Sequence, residues 1–124
     1  MPVVTRDQAR HTETPAGAMT TLASPTLGGA TTALWRVRMA PHAAGPAHRI
    51  DAEQIWTVLD GGADLILGTE KLTLAPGDTA VLPADVPRQI TAGPWGLTAV
   101  ATASAGAEAF RTGEAQGIVP PWIA

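Results

Sequence analysis

Thirteen glycines and eleven prolines are spread along a chain of only 124 residues. Inside a helix, glycine costs about 1 kcal/mol and proline about 3 kcal/mol relative to alanine. That density excludes long helices. It divides the chain into short pieces joined by turns, the pattern of an all-β domain. The length fits one domain, and a chain of this size buries roughly two-thirds of its unfolded surface. Hydrophobic residues make up 45% and charged residues 15%, too apolar a balance for disorder. There is no cysteine, so disulfides, thiolate metal sites and a cysteine nucleophile are excluded. Net charge is −3 and the few basic residues are scattered, so no basic stripe is offered to nucleic acid. The N-terminus lacks the apolar run of a secretory signal, and no stretch reaches the roughly 20 apolar residues of a membrane helix. The expectation is a cytoplasmic protein with neither nucleic acid nor membrane as partner.

Residues 4–10 suit one or two helical turns. Residues 11–30, rich in Thr, Ala, Gly and Pro, read as loop with one short strand at 19–23. Alternation then begins: Trp35, Val37 and Met39 share one face, and Arg36 and Arg38 the other. Further strands are expected at 47–50, 54–59, 63–67, 71–74, 79–82, 88–91 and 96–102. Asp60-Gly61-Gly62 reads as a hairpin turn between two of them. Strands every 8 to 12 residues suggest a sandwich or barrel. The parts expected are an N-terminal arm at 1–30, a barrel at 31–106 and a tail at 107–124. The tail ends in Pro120-Pro121-Trp122-Ile123, an apolar strap that needs the barrel or a second subunit to cover it.

Two segments are more specific. The first contains His48, Ile50, Gln54 and Gly61; the second runs Gly77-Asp78 through Pro83 and Asp85 to Arg88. Their spacing resembles the two motifs of the cupin superfamily. There, a His-x-His is followed after four residues by Glu or Gln and after seven more by Gly. A Gly-Asp is followed by a Pro six residues after the Gly, and by a His five beyond the Pro. The resemblance spans about residues 32–101. It implies a cupin-type antiparallel jelly-roll barrel, here with a short N-terminal helical turn, and a homodimer. It also implies a divalent metal held by three His and one Glu or Gln. Of those positions this chain keeps His48 and Gln54, while Ile50 and Arg88 stand at the other two and Asp85 replaces a usual Gly. Isoleucine cannot ligate, and a guanidinium repels a dication. One imidazole and one amide make a poor metal site, so no metal or other cofactor is expected.

His48 is then a candidate proton shuttle, since imidazole changes charge near neutral pH. Arg88 is a candidate for stabilising developing negative charge. Its structural alternative is an ion pair with Asp51 or Glu53, because a buried unpaired guanidinium is costly. Gln54, Trp56, Trp35, Ile50 and Met39 are candidate substrate-binding residues, with core packing the alternative for the tryptophans. His11 and His42 fall in expected loops and read as solvated. There is no nucleophile elbow and no phosphate loop. The expected function is metal-independent proton transfer, as in an isomerase, cyclase or lyase, on a small anionic molecule such as a sugar acid or secondary metabolite. One alternative is a metal-dependent cupin with a reduced ligand set. The other is a non-catalytic ligand-binding or interaction cupin.

Overall fold

The computed structural model describes residues 3–124; Met1 and Pro2, the start of the expected arm, lie outside the described residues. The fold is all-β. A single 3-10 turn, Arg6–Gln8, precedes nine strands. In it the Gln8 side-chain carbonyl accepts from the Thr5 backbone N–H at 2.9 Å. The strands are β1 (Arg10–Thr14), β2 (Gly17–Ala23), β3 (Thr32–Met39), β4 (His48–Ile50), β5 (Gln54–Leu67), β6 (Glu70–Leu74), β7 (Thr79–Leu82), β8 (Arg88–Ser104) and β9 (Ala109–Arg111). All pair antiparallel. No helix among the described residues is long and apolar enough to cross a membrane.

The architecture rests on two long strands that run side by side and bend together. The second half of β8 pairs with β3 on one side and the first half of β5 on the other. The first half of β8 pairs with the second half of β5 and touches β4. One face of a curled sheet thereby closes over the core, the geometry of a jelly roll.

The bends correct two expectations. Asp60-Gly61-Gly62 is not a hairpin turn: β5 passes straight through it, with register shifts on either side of Asp60–Gly61. Residues 88–91 and 96–102 are one strand, not two. Glycines there serve bulges instead of a reversal. Gly61 has φ +73° and lies against the Gly96 carbonyl, where a Cβ would collide with backbone. Only glycine permits both the sign of φ and the close approach.

A third correction concerns residues 11–30. Most of them are sheet: β1 and β2 form a hairpin that extends the β3 edge, and His11 is a strand residue whose Nδ1 meets Thr20 Oγ1 at 3.1 Å. Threonines at 12, 14, 20 and 21 supply the β-branched side chains that outweigh the local Ala, Gly and Pro. The C-terminal strap lies on its own chain. Ile123 is wholly buried in the core, and the Trp122 carbonyl accepts from the Thr21 hydroxyl at 2.8 Å. Arg10 and Thr26 donate to the Ala124 carbonyl oxygen at 2.7 and 2.9 Å.

Candidate functional site

Strand alternation and register decide which side chains meet. Across β3, β8 and β5 the inward residues form rows: Ala33, Ala103 and Gln54; then Trp35, Ala101 and Trp56; then Val37, Ala99 and Val58; then Met39, Leu97 and Gly61. The middle strand contributes only alanine to the first three rows, so Ala101 alone separates the two indoles in their row. Gln54 and Trp56 share a face as their spacing predicts, and Trp56 Nε1 donates to Gln54 Oε1 at 3.4 Å. Met39 is not part of this group. It lies two rows beyond the indoles, beside a cavity of about 430 Å³ that Glu13, Arg38 and Leu97 also line.

At the other end a different row crosses four strands. Arg111 of β9 pairs with His48 of β4, His48 with Arg88 of β8, and Arg88 with Leu67 of β5. Facing residues in a sheet ordinarily avoid like charge. Here two guanidiniums bracket an imidazole.

Arg88 is 1% exposed. Its Nε donates to the Val86 carbonyl at 2.9 Å, and Nη2 to the Pro83 carbonyl at 2.6 Å. Nη1 reaches Gln54 Oε1 at 3.5 Å, a long contact. The expected alternative, an ion pair with Asp51 or Glu53, is not formed. Asp51 caps the Glu108 backbone N–H at 2.8 Å, and Glu53 is exposed. Among the described residues the one ion pair is Arg49 with Asp85, at 2.8 Å. Burial pushes Arg88 below the ordinary arginine range, and the charge of nearby Asp85 partly offsets this.

The loop that grips Arg88 accounts for Asp85. This residue has φ +64°, the left-handed region where glycine is easiest. Its N–H donates to the Ile50 carbonyl at 2.7 Å, and its carboxylate takes the Arg49 ion pair. The aspartate gives up conformational ease and gains a charge partner.

His48 is half-buried, and its Nδ1 is 2.8 Å from the Pro46 carbonyl. A carbonyl only accepts, so Nδ1 carries the hydrogen, and in the neutral ring Nε2 is the base. Burial holds the pKa of His48 below its ordinary value. The charges of Arg88 and Arg111 push the same way, and the Pro46 hydrogen bond opposes them. Near neutral pH the ring is therefore uncharged.

The structure thus links His48, Arg88, Gln54 and Trp56 through strand pairing and hydrogen bonds, with Trp35 in the same row as Trp56 across Ala101. Ile50 is 2% exposed and packs in the core at the same end. Arg111 was invisible from sequence. Nothing local marks it, and only the pairing of β9 with β4, about sixty residues apart in the chain, brings it to His48.

This donor set does not fit a metal. No group of three His, Cys, Asp or Glu side chains that would hold one occurs among the described residues. The third imidazole position carries a buried cation, which would repel a dication. The Gln54 oxygen, the one amide acceptor here, is turned toward that cation and an indole.

The model of a Cupin domain matches residues 35–93 of the chain. No curated protein matches the chain in sequence. Among solved structures, an RmlC-like cupin from Shewanella frigidimarina superposes with a TM-score of 0.71 at 16% identity, covering 82% of this chain and 88% of that one. Oxalate decarboxylase from Bacillus subtilis gives 0.75 at 15% identity, covering 86% of this chain and 30% of that one. Salicylate 1,2-dioxygenase from Pseudaminobacter salicylatoxidans gives 0.72 at 19% identity, covering 85% and 33%. This chain therefore spans about a third of the length of those two enzymes.

Proposed function

For this chain, a member of the cupin superfamily, we propose metal-independent proton-transfer chemistry on a small organic anion, of the isomerase, cyclase or lyase kind. The observation that carries the reading is the row of exposed Arg111, half-buried His48 and buried Arg88, which has two cations, one neutral base and no carboxylate in ion-pair reach of either cation. A buried guanidinium satisfied only by neutral acceptors keeps most of its charge uncompensated. An anion supplies the compensation, and in this buried setting the attraction exceeds that at an open surface.

The chemistry follows from the atoms. Arg88 and Arg111 hold the anionic group. His48 Nε2 takes a proton from a carbon or hydroxyl beside it. Arg88 stabilises the negative charge that develops as the proton leaves, through donors already oriented by Pro83, Val86 and Gln54. The bond from Nδ1 to Pro46 steadies the imidazolium that forms. Proton return to a different atom completes an isomerisation, and departure of a leaving group completes an elimination. Catalytic relatives of the fold, a decarboxylase and a dioxygenase, lend general support to an enzyme.

The test is exchange of the acidic C–H of 2-oxobutanoate and of a series of uronic acids in D2O, followed by NMR. Exchange above the buffer rate, lost in His48→Gln and Arg88→Met, is the expected result. One tightly bound metal per chain with His48 as ligand would overturn the metal-free mechanism.

A second reading, a non-catalytic ligand-binding cupin, is favoured by the filling of the inward rows with Trp35, Val37, Trp56 and Val58. Binding that depends on Arg88 with no exchange of any probe selects it. We also propose a homodimer. Its support is the outward row Leu34, Thr102, Ile55 and Val81, whose three apolar members are partly exposed, and no longer the C-terminal strap. Sedimentation as a monomer at micromolar concentration contradicts it.

A further inference from the structure

Strand β9 brings Arg111 to His48, yet it has little pairing of its own. It is three residues long and ends the sheet, joined to β4 by His48 with Arg111, Arg49 with Phe110 and Ile50 with Ala109. So short a ladder is marginal by itself. Its inner side sets a guanidinium opposite an imidazole that also faces Arg88, which opposes docking whenever the imidazole is charged. The outer side supplies what the ladder lacks. Phe110 points there, and the Arg49 guanidinium covers one face of its ring, 3.9 Å from the centroid. After β9 the chain turns, with the Glu114 carboxylate accepting from the Arg111 N–H at 2.9 Å. It then returns, and Ile118 and Ala109 exchange backbone hydrogen bonds of 2.7 and 3.1 Å. On the way back it meets the far edge of the ring at Gly117, where a Cβ would lie 2.6–2.9 Å from three ring carbons. The ring thus touches β4 on its face and the returning chain at its edge.

We propose that Phe110 is a positioning residue: its ring fastens the β9 hairpin to β4 from the outer side, and so sets Arg111 beside His48 as the outer half of the anion site. This rests on the anion site proposed above and adds how its second cation is placed. Arg111 is exposed and has no ion pair among the described residues, so its place comes from the register of β9. That register is fixed on the side away from the site. Glycine at 117 is part of the device, because any side chain there takes the space that the ring edge fills.

The experiment follows the His48 ring by NMR across a pH titration of the full chain, with no ligand added. The charged groups facing that ring are Arg88 from β8 and Arg111 from β9, and the Pro46 carbonyl is its hydrogen-bond partner. Arg111→Gln removes one cation, so the His48 pKa is expected to rise by a few tenths of a pH unit, the scale for an exposed charge. Phe110→Ala keeps both cations and is expected to raise it at least as far, because β9 carries Arg111 away and uncovers the imidazole. Adding Arg111→Gln to Phe110→Ala is then expected to change nothing more. If Phe110→Ala does not fold, Gly117→Val puts the same question by displacing the ring while keeping it. An unmoved His48 in Arg111→Gln or in Phe110→Ala overturns the proposal, even where thermal stability falls. So does an Arg111→Gln effect that persists in full beside Phe110→Ala. Calorimetric titration with acetate separates this role from the anion site. If His48 responds as expected but acetate binding is indifferent to Arg88→Met, the positioning role stands and the anion site falls. If acetate binding requires Arg88 while Phe110→Ala leaves His48 unmoved, the anion site stands and the positioning role falls.

Discussion

The sheet of β9, β4 and the start of β8 carries arginine on both faces, and the two faces treat it in opposite ways. On the outer face Arg49 donates to the Asp85 carboxylate at 2.8 Å and stacks over the Phe110 ring, 3.9 Å from its centroid. Both charged groups there are at least one-third exposed, so water already screens them. On the inner face Arg88 is buried, meets only carbonyl oxygens, and faces a histidine instead of an acid. The outer arginine has an ion-pair partner within the chain; the inner one has none, and nearby Asp85 offsets its burial only in part. A buried cation without an ion-pair partner is the basis of the anion site proposed above, whereas an exposed ion pair suggests only a surface role.

The contrast can be broken most directly at Arg88. Arg88→Ala should weaken binding of an anionic ligand by about 2–4 kcal/mol, the range for one preorganised electrostatic contact. The barrel should stay folded, as circular dichroism would report. Arg88→Lys should restore part of the loss, because a point charge cannot reproduce the planar fork. Unfolding of Arg88→Ala alongside full activity in Arg88→Met would make the residue a structural strut and remove the difference between the faces.

A smaller effect should come from Arg111→Ala. Arg111 stands in the same row but is exposed, so its contribution to anion affinity should be well below that of Arg88 and should fade with added salt. Calorimetric titration at two ionic strengths measures both. An Arg111 effect equal to that of Arg88 and insensitive to salt would contradict the assignment of depth.

His48 links the site to stability. Its folded pKa lies below the ordinary value of about 6.5. As pH falls through 6.5 the unfolded chain takes up the proton first, which favours unfolding. The contribution is present above pH 6.5 and lost below it. The urea midpoint should therefore drop between pH 7.5 and 5 by more in the unmodified chain than in His48→Gln. Equal drops would mean that His48 titrates as a solvated histidine. A bound anion should reduce the difference, since it favours the charged ring.

The least effect belongs to the outer face. Removing the exposed pair with Arg49→Ala should cost at most about 1 kcal/mol. Asp85→Gly should be close to neutral, because relief of the φ +64° conformation offsets loss of the ion pair. Chemical denaturation decides both. A loss of several kcal/mol in either would show that the outer pair holds the loop around Arg88, and that the two faces act as one unit.

What the sequence by itself determined was local. Glycine and proline density ruled out long helices. Period-two alternation placed Trp35, Val37 and Met39 together on one side of their strand and Gln54 with Trp56 together on one side of theirs, and both sets are buried in the structure. Motif spacing marked His48, Gln54 and Arg88. Local signals failed where a residue's meaning depended on a distant strand. Asp60-Gly61-Gly62 has the composition of a turn, yet becomes a bulge because β8 bends against it. For the strap ending in Ile123 the sequence left open the barrel or a second subunit, and the sheet edge built by β1 and β2 supplies the cover within the same chain. Arg111 carried no signal at all until β9 paired with β4. Nor does sequence state that Trp35 Nε1 is unmet, or that Arg88 finds carbonyls and no carboxylate. Alternation fixes the side to which a residue points, because it is a property of one strand. Which charges and donors remain unpaired depends on every strand that closes around them, and only the tertiary structure decides that.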